Sequence, residues 1–440
     1  PGTICVDLRG LNQCAVVGRG RARHAAIRCQ GGASLGQIAR VAAESNYVVP
    51  LGTAPTVGAG AVLMGGVGHL SRLHGMSVAN ILALRIVTPG KGMRVLELGD
   101  EHNVGDDVGL FWAARGGAPG LGVVTEFTLR CFPSLGPWTV QHDTTVIESP
   151  PGGDATTTTS SQLRSFLQQY GASAPLNSRE RTTDCYVHFT QSPTKWNQNN
   201  NNNKASSLAR DSSISCTVST FFPSACAENG SSGAGGSVHD EDQGNLAETG
   251  TVTTVPCLAD LFAHEKYLSV DPPAHAVAHA RSVFLSAISP YIARVLATGM
   301  VGAPEGVHCT LHLQQGGGVT REVVEELQCA GNIGGWEFSA VVTAFIPRGM
   351  SEEKAEKCRM WVDDMLDTLC VESEETIGVY ATDVGPCRGG KGGGGLAQRC
   401  WTESTRERLA AAKAEWDPTG VLSSHVPFVN TVVAEDHHRR

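Results

Sequence analysis

The 440-residue chain is long enough for two or three domains, each with its own hydrophobic core. Its formal net charge of -9 argues against a nucleic-acid-binding protein, because phosphate binding needs a basic surface. No apolar run reaches the ~18 residues needed to cross a bilayer, so we expect no membrane span. Composition therefore favours a small-molecule partner.

The 14 cysteines are not spaced as Cys-x-x-Cys anywhere in the chain, which excludes zinc-ribbon and thioredoxin patterns. Disulfides in an oxidising compartment and buried reduced thiols both stay open. One acceptor triplet for N-glycosylation, Asn229-Gly230-Ser231, is a sign of secretion.

The first elements predicted in chain order are short strands at 3–8 and 25–29 and a helix capped by Ser34. A glycine-rich stretch, Gly52 to Gly75, follows them. It contains seven glycines, and only three of its side chains can bear charge. We call it the cradle, because bare main chain lets a flat ligand approach and offers amide groups to an anion. Tight turns between short strands are the alternative explanation.

Three strands are predicted after the cradle, at 81–88, 93–98 and 123–129. A second glycine-rich loop, 115–122, precedes the last of them. Neither loop fits the dinucleotide fingerprint G-x-G-x-x-G, so the sequence does not predict a Rossmann NAD site.

A resemblance to a known family is carried by several motifs in a fixed order. VDLRGLN (6–12), the cradle, VANILALRIVTPGK (78–91), LFWAARGG (110–117) and GVVTEFTLR (122–130) resemble the FAD-binding domain of the vanillyl-alcohol-oxidase superfamily, PCMH type. Within it, the chain is most similar to the berberine-bridge-enzyme-like branch. The resemblance implies an α+β fold, with the second subdomain of a PCMH-type FAD-binding domain and a substrate domain of antiparallel sheet backed by helices.

The resemblance also implies three regions. Residues 1–134 correspond to an FAD-binding domain that is incomplete at its N-terminus, 135–398 to the substrate domain, and 399–430 to a C-terminal segment that returns to the FAD domain. Two polar low-complexity pieces, near 196–214 and 227–252, are predicted to be surface insertions.

In the family, FAD lies on the main chain of the cradle and of one later strand. Carried over position by position, the implied cofactor-binding residues are Gly52, Thr53, Thr56, Val57, Gly58, Gly60, Gly65, Gly66, Gly68, His69, Ser71, Gly75, Asn80, Val123 and Val124. Members with cysteinyl flavin have a cysteine where this chain has Ala54, so we expect non-cysteinyl FAD. The histidine to which many members attach flavin would lie upstream of Pro1.

Three residues are candidates for catalysis. Glu322 follows a Gly-Gly turn, near the place where some members keep a catalytic glutamate, and Tyr380 is a phenol on a neighbouring strand. Trp401 and Thr402 stand where the closing motif of the family has a tyrosine pair, so the phenol that would accept a substrate proton is missing there. A solvated charge or a core aromatic is the alternative for any single Glu or Tyr.

Other motifs are set aside. GPCRGGK (385–391) fits a P-loop but lacks the following Ser or Thr and a helix to bind phosphate. The pairs His275 with His279 and His308 with His312 have no carboxylates at ligand spacing, so no metal site is predicted. The serine nucleophile motif G-x-S-x-G is absent from the sequence.

The predicted function is that of an FAD-dependent oxidase or dehydrogenase. By resemblance, hydride would pass from a C–H beside an alcohol or amine of a small-molecule substrate to flavin N5, with molecular oxygen as the acceptor. The alternative is a non-catalytic remnant of the fold that does not retain flavin, and a secreted carbohydrate-binding domain is a third interpretation. The family implies a secretory or extracellular location.

Overall fold

The computed structural model describes residues 5–18, 25–97, 106–148, 155–190, 213–226, 248–264, 276–322, 329–331, 333–380 and 400–422. In these ranges the chain forms two large sheets, of five and eight strands, and every neighbouring pair of strands is antiparallel. The chain passes from the first sheet to the second between Pro133 and Trp138. The P-loop-like segment 385–391 and His275 lie outside the described residues.

The first domain follows the predicted order of strands and helices. Its elements are β1 (Cys14–Val17), β2 (Ala26–Gln30), α1 (Leu35–Glu44), β3 (Tyr47–Val48), α2 (Ser71–His74), β4 (Ile81–Thr88), β5 (Gly92–Glu97), α3 (Asp106–Gly117), β6 (Val123–Arg130) and β7 (Phe132–Pro133). The five-stranded sheet has the order β1-β2-β6-β4-β5, and β3 pairs with β7. Short 3-10 turns at Ala59–Met64 and Ser77–Asn80 shape the cradle.

Helix α1 begins where its capping residue predicts. Ser34 accepts a hydrogen bond from the Gln37 amide, and the Gln37 side chain accepts one from the Ser34 amide. Leu35, Ile38 and Ala42 recur at three- and four-residue spacing and are buried. The helix therefore packs its apolar face against the sheet, next to the cradle.

The strand predicted at 3–8 is wrong for its described part. Residues 5–8 belong to no sheet, and the first strand is β1. The edge of β2 is already paired with β1, and the Leu8 carbonyl accepts a hydrogen bond from the Leu11 amide in a turn. The edge of β2 is therefore occupied by β1 and not by this segment.

The second domain is an eight-stranded sheet with helices. Its elements, with the C-terminal helix, are β8 (Trp138–Ile147), α4 (Ala155–Ser173), β9 (Thr182–Thr190), β10 (Ser213–Pro223), β11 (Glu248–Val255), α5 (Leu258–His264), β12 (Ala276–Leu285), α6 (Pro290–Val301), β13 (His308–Gln315), β14 (Phe338–Pro347), α7 (Glu352–Glu372), β15 (Thr376–Val379) and α8 (Glu403–Trp416). The strand order is β11-β8-β10-β9-β13-β14-β12-β15. The predicted α+β fold class is confirmed.

The two faces of this sheet differ in chemistry. Helices α4, α6 and α7 pack on one face, where Val187, Leu311 and Val342 are fully buried in the main core. Because side chains alternate along a strand, the opposite face presents a different set. That set, which we call the polar face, is His142, Asp184, Tyr186, His188, Ser219, His308, Thr310 and His312.

The predicted low-complexity insertions lie mostly outside the described residues. Where the structure describes their ends, at 213–214 and 248–252, the chain is in strands β10 and β11. The alternation of Thr and Val near 250 suits an edge strand, and β11 is the edge of the sheet beside β8.

Helix α8 packs against α3 of the first domain and is fastened by a buried lysine. The Lys413 ammonium donates hydrogen bonds to the Gly120 carbonyl at 2.7 Å, to the Leu422 carbonyl and to the Asp417 carboxylate. Although burial acts to raise it, the pKa of Asp417 lies below its usual value because Lys413 and two backbone amides hydrogen-bond the carboxylate. Among the described helices, none has the length and apolar character that a membrane crossing requires.

We predict that Lys413→Met lowers the free energy of unfolding by about 3–5 kcal/mol, because it leaves the Asp417 carboxylate buried without its cation. Lys357 offers a matched control, since it also forms an ion pair with a carboxylate four positions away, that of Glu353, but is 69% exposed. Lys357→Met should cost under about 1 kcal/mol. Denaturant unfolding of both variants measures the difference. Equal decreases in the free energy of unfolding would contradict a stabilising role for the buried Lys413–Asp417 pair.

Candidate functional site

The cradle has an exposed part and a buried part. From Ala54 to Gly60 most residues are exposed, including Thr56 and Val57, while Gly52 and Thr53 are half-buried. A Cβ added to Gly58 or Gly60 would meet no heavy atom within 4 Å. Unobstructed main chain thus faces open space here, which is the surface that a flat ligand needs.

From Gly65 to Gly75 the cradle is packed. Gly65 and Gly66 have positive φ angles of 148° and 77°. A Cβ at Gly65 would overlap the Tyr380 ring, one at Gly66 the Ser77 side chain, and one at Gly68 the Leu51 carbonyl. Close packing alone therefore explains these glycines, and their contact with a cofactor stays a prediction.

The other predicted cofactor residues have local structural partners. The Ser71 hydroxyl accepts a hydrogen bond from the Gly68 amide at 2.9 Å. The Asn80 side chain donates to the carbonyls of His74 and Met76, while its own oxygen is buried without a hydrogen-bond partner among the described residues. Val123 and Val124 begin β6, and Val124 is buried. A cofactor contact at these positions also stays a prediction.

The cradle meets the polar face through a buried carboxylate. His69 is 7% exposed and stacks on Phe221 with ring centroids 3.8 Å apart. The Asp184 Oδ2 atom lies 3.6 Å from His69 Nδ1 and also 3.6 Å from His312 Nε2. Its other oxygen accepts a hydrogen bond from the Gln315 amide. The sequence suggested the strand position of His312, but its proximity to His69 depends on the tertiary fold.

A second buried charge pair lies beside it. The Arg72 guanidinium is 3% exposed, and it donates to the Gly316 carbonyl at 2.6 Å, the Asn177 carbonyl at 2.9 Å and the Glu337 carboxylate at 3.2 Å. Burial raises the pKa of Glu337 above its usual value even though Arg72 and Arg321 oppose the shift. This pair joins α2 to the Gly316-Gly317 turn of the second domain.

Each of the three predicted catalytic residues has a different partner in the structure. Glu322 is half exposed and pairs with Arg179. The Tyr380 hydroxyl accepts a hydrogen bond from the Gly66 amide at 2.7 Å, so this phenol does lie against the cradle. The Trp401 indole donates to the Ala330 carbonyl and is buried. None of these contacts tests a catalytic role, which stays a prediction for all three.

Two further histidines of the polar face are desolvated. Burial, with a contribution from His308, lowers the pKa of His188 to about 4. Burial also lowers the pKa of His308. His188 Nδ1 and His308 Nε2 have no hydrogen-bond partner in the described structure. Across the described ranges, no group of three or more His, Cys, Asp or Glu side chains has an arrangement that could hold a metal ion.

The N-terminal part of the chain matches a domain family. Residues 1–97 match the FAD binding domain FAD_binding_4. An uncharacterized FAD-linked oxidoreductase of Bacillus subtilis, YvdP, is 34% identical over 131 residues, which is 29% of this chain and 27% of that protein. The (R)-6-hydroxynicotine oxidase of Paenarthrobacter nicotinovorans is 34% identical over 134 residues, covering 30% of this chain and 27% of that protein. The matched part thus spans about a quarter of the length of these relatives.

Solved structures share the fold over almost the whole chain. Berberine bridge enzyme from Eschscholzia californica superimposes with a TM-score of 0.66 at 15% identity, over 95% of this chain and 79% of that one. A chitooligosaccharide oxidase gives 0.65 at 17% identity, over 95% and 80%. The N-terminal part of the chain is therefore similar to FAD-linked oxidoreductases, the chain shares its fold with berberine bridge enzyme, and the family resemblance read from its motifs is confirmed.

Folding stability should decrease on acidification through the pH range about 6.5 to 4. An unfolded histidine titrates near 6.5, whereas His74 and His188 have pKa values of about 4 in the folded chain, so the unfolded state binds more protons in this range. Stability is then full above about 6.5 and is lost as pH falls.

His188→Gln tests this directly, because removing one of these groups should reduce the difference between the denaturant midpoints at pH 7.5 and pH 5. His279→Gln is the control, since His279 lies on β12, away from the polar-face set, and pairs with Asp363. An unchanged difference in His188→Gln would contradict the assignment.

Proposed function

We propose that this chain binds FAD and catalyses a redox reaction of a small molecule at the junction of the cradle and the polar face. The observation that carries the proposal is the open main chain at Gly58 and Gly60, in a domain that matches an FAD-binding family. The residues present fit the cofactor on that side of the site. Gly52, Thr53, Thr56, Val57, Gly58 and Gly60 would hold it.

The attachment of the cofactor is proposed to be non-cysteinyl. The half-exposed stretch before Pro55 contains Thr53 and Ala54 and offers no sulfur. The buried half of the cradle would support the exposed half, since the Tyr380 hydroxyl and the Ser71 hydroxyl accept hydrogen bonds from its amides. A bound flavin would supply the two-electron chemistry, by taking hydride from a substrate C–H beside an alcohol or amine.

We further propose that His312 takes the substrate proton. Its side chain is 22% exposed on the polar face, and its Nε2 atom lies 3.6 Å from Oδ2 of Asp184, which is 2% exposed. When Nε2 carries the proton toward the carboxylate, Nδ1 presents a lone pair, and the carboxylate stabilises the imidazolium that forms. The position that a tyrosine pair fills in the family is occupied here by Trp401, whose indole is already bonded.

The second substrate is proposed to be molecular oxygen. Two of the similar structures and one relative are named as oxidases, of chitooligosaccharide, xylooligosaccharide and 6-hydroxynicotine. A berberine bridge enzyme variant is named as a reticuline dehydrogenase, so an activity named as a dehydrogenase also occurs on the same fold. An extracellular or secretory location is also proposed, from the family.

The competing proposal is a protein of the same fold that does not retain flavin. The packing of Gly65, Gly66 and Gly68 favours it, because these turns contact protein atoms and leave no slot at those positions. Retention of FAD separates the two proposals.

We predict that the purified chain binds added FAD and shows its visible absorption band near ~450 nm. Gly58→Val should weaken FAD binding by roughly tenfold or more, because the side chain would enter the space of the ligand. It should leave the unfolding midpoint unchanged, since that space is empty of protein. Gly109→Val, at an equally open position on α3, is the control for a generic effect. Equal affinity in both variants, or no binding by the parent chain, would refute the proposed cradle.

The role of His312 is tested by flavin reduction without oxygen. The parent chain, loaded with FAD, is mixed with 6-hydroxynicotine, reticuline, chitooligosaccharide or xylooligosaccharide, and bleaching is followed near ~450 nm. His312→Gln should slow bleaching by about 10²–10⁴-fold and leave FAD affinity unchanged. Loss of FAD affinity in this variant, or an unchanged rate, would exclude the proton-accepting role.

A further inference from the structure

Two cysteines face each other across the edge of the first sheet. Cys14 on β1 is the direct partner of Cys29 on β2 in the antiparallel register. Both are free thiols. Side chains of direct partners project from the same face of a sheet. The two sulfur atoms are therefore neighbours although 15 positions separate Cys14 and Cys29 in the sequence.

The hydrogen-bond pattern of the two strands places Cys14 and Cys29 in a non-hydrogen-bonded pair, the kind with the shorter Cα–Cα distance. The Gln30 amide donates to the Gln13 carbonyl at 2.9 Å, so the adjacent Gln13–Gln30 position is a hydrogen-bonded one. Hydrogen-bonded and non-hydrogen-bonded pairs alternate along an antiparallel ladder, and non-hydrogen-bonded partners have Cα atoms about 4.5 Å apart. That separation lies in the range of roughly 4.4–6.8 Å that a disulfide spans, so the bond can form without moving the strands.

One of the two thiols is accessible. Cys14 is half-buried and lines a surface pocket of about 340 Å³, whose other walls include Arg40, Pro55 and Thr56. Cys29 is fully buried behind it. A small oxidant can thus reach Cys14 from the same surface that carries the exposed part of the cradle, while Cys29 is shielded.

The chemistry of the two sulfurs also differs. A hydrogen bond from the Cys29 thiol lowers the pKa of Cys14. The same contact, with burial, raises the pKa of Cys29 far above its usual value. Because thiolates are the nucleophilic form, Cys14 is the attacking group and Cys29 the group that reacts second.

We propose that Cys14 and Cys29 form a peroxide-sensitive dithiol that closes to a cross-strand disulfide. The Cys14 thiolate attacks one oxygen of hydrogen peroxide, the O–O bond breaks, and a sulfenic acid forms while the other oxygen leaves as water after protonation. The Cys29 sulfur then attacks the sulfenic sulfur of Cys14, the S–O bond of that sulfenic acid breaks, and its hydroxyl oxygen leaves as a second water. The two thiols lose two electrons, which reduce one peroxide to two waters.

The disulfide would fasten β1 to the sheet at the wall of the pocket. Strand β1 is the edge of the sheet and pairs only with β2 among the described strands. Closing the segment from Cys14 to Cys29 restricts the unfolded chain, so the oxidised form should be more stable than the reduced form. The dithiol does not depend on the proposed redox activity, because the oxidant is supplied from outside in the test.

The test uses the whole reduced chain, treated with a small excess of hydrogen peroxide, alkylated, and digested with trypsin without reduction. Cleavage at arginine places the two cysteines in separate peptides, GLNQCAVVGR (10–19) and CQGGASLGQIAR (29–40). Mass spectrometry should find these two peptides joined, and both thiols protected from alkylation. The oxidised chain should also unfold at a temperature several degrees higher than the reduced chain.

Cys14→Ser should abolish the joined peptide and the thermal shift, while Cys5→Ser, at an exposed cysteine, should leave both unchanged. Cys14 is only half-buried, so its serine variant is expected to fold, and a reduced thermal midpoint equal to that of the parent verifies this. In the parent chain, oxidation of the exposed Cys5 shows that enough peroxide was added. The proposal is overturned if Cys14 can still be alkylated at that point. A disulfide between Cys14 and any cysteine other than Cys29 overturns it as well.

Discussion

The buried Arg72 guanidinium is the interaction on which the arrangement of the two domains depends. Arg72 belongs to the cradle, and its guanidinium contacts the second domain, where it donates hydrogen bonds to the carbonyls of Asn177 and Gly316 and pairs with Glu337. A charge that is 3% exposed is costly unless it is paired and hydrogen-bonded, so this set of acceptors fixes one relative position of α2 and the Gly-Gly turn. A docking that separated the two would take Arg72 away from Glu337 and leave that carboxylate with only the largely exposed Arg321 as its cation.

That docking determines what surrounds the polar face. With α2 held against the Gly-Gly turn, His69 stacks on Phe221 and lies beside Asp184, and the same carboxylate reaches His312 on the next strand. Three titratable groups from separate segments thus meet where the cradle touches the sheet. Low exposure strengthens the interaction between them, because little water screens their charges. This is the cluster that we propose for proton transfer.

The cradle combines two uses of glycine. At Gly58 and Gly60 the missing side chain leaves open surface, whereas at Gly65 and Gly66 it permits positive φ and close packing against Tyr380 and Ser77. The packed half gives the exposed half a rigid support, since its amides are held by side chains from both domains. The cradle therefore has one part that is packed against protein and one part that is open.

Local patterns determined much of the molecule. The cap at Ser34, the apolar run of β4 and the ordered motifs around the cradle predicted the elements of the first domain and its family, because caps, periodicity and glycine turns are properties of neighbouring residues. They did not give the position of β1, which depends on a free edge of β2, or the pairing of Arg72 with Glu337 and of Asp184 with two histidines. Those contacts join residues more than a hundred positions apart. The strand order of the larger sheet places Asp184 beside His312, and the packing of the two domains decided the contacts of Arg72 with Glu337 and of His69 with Asp184.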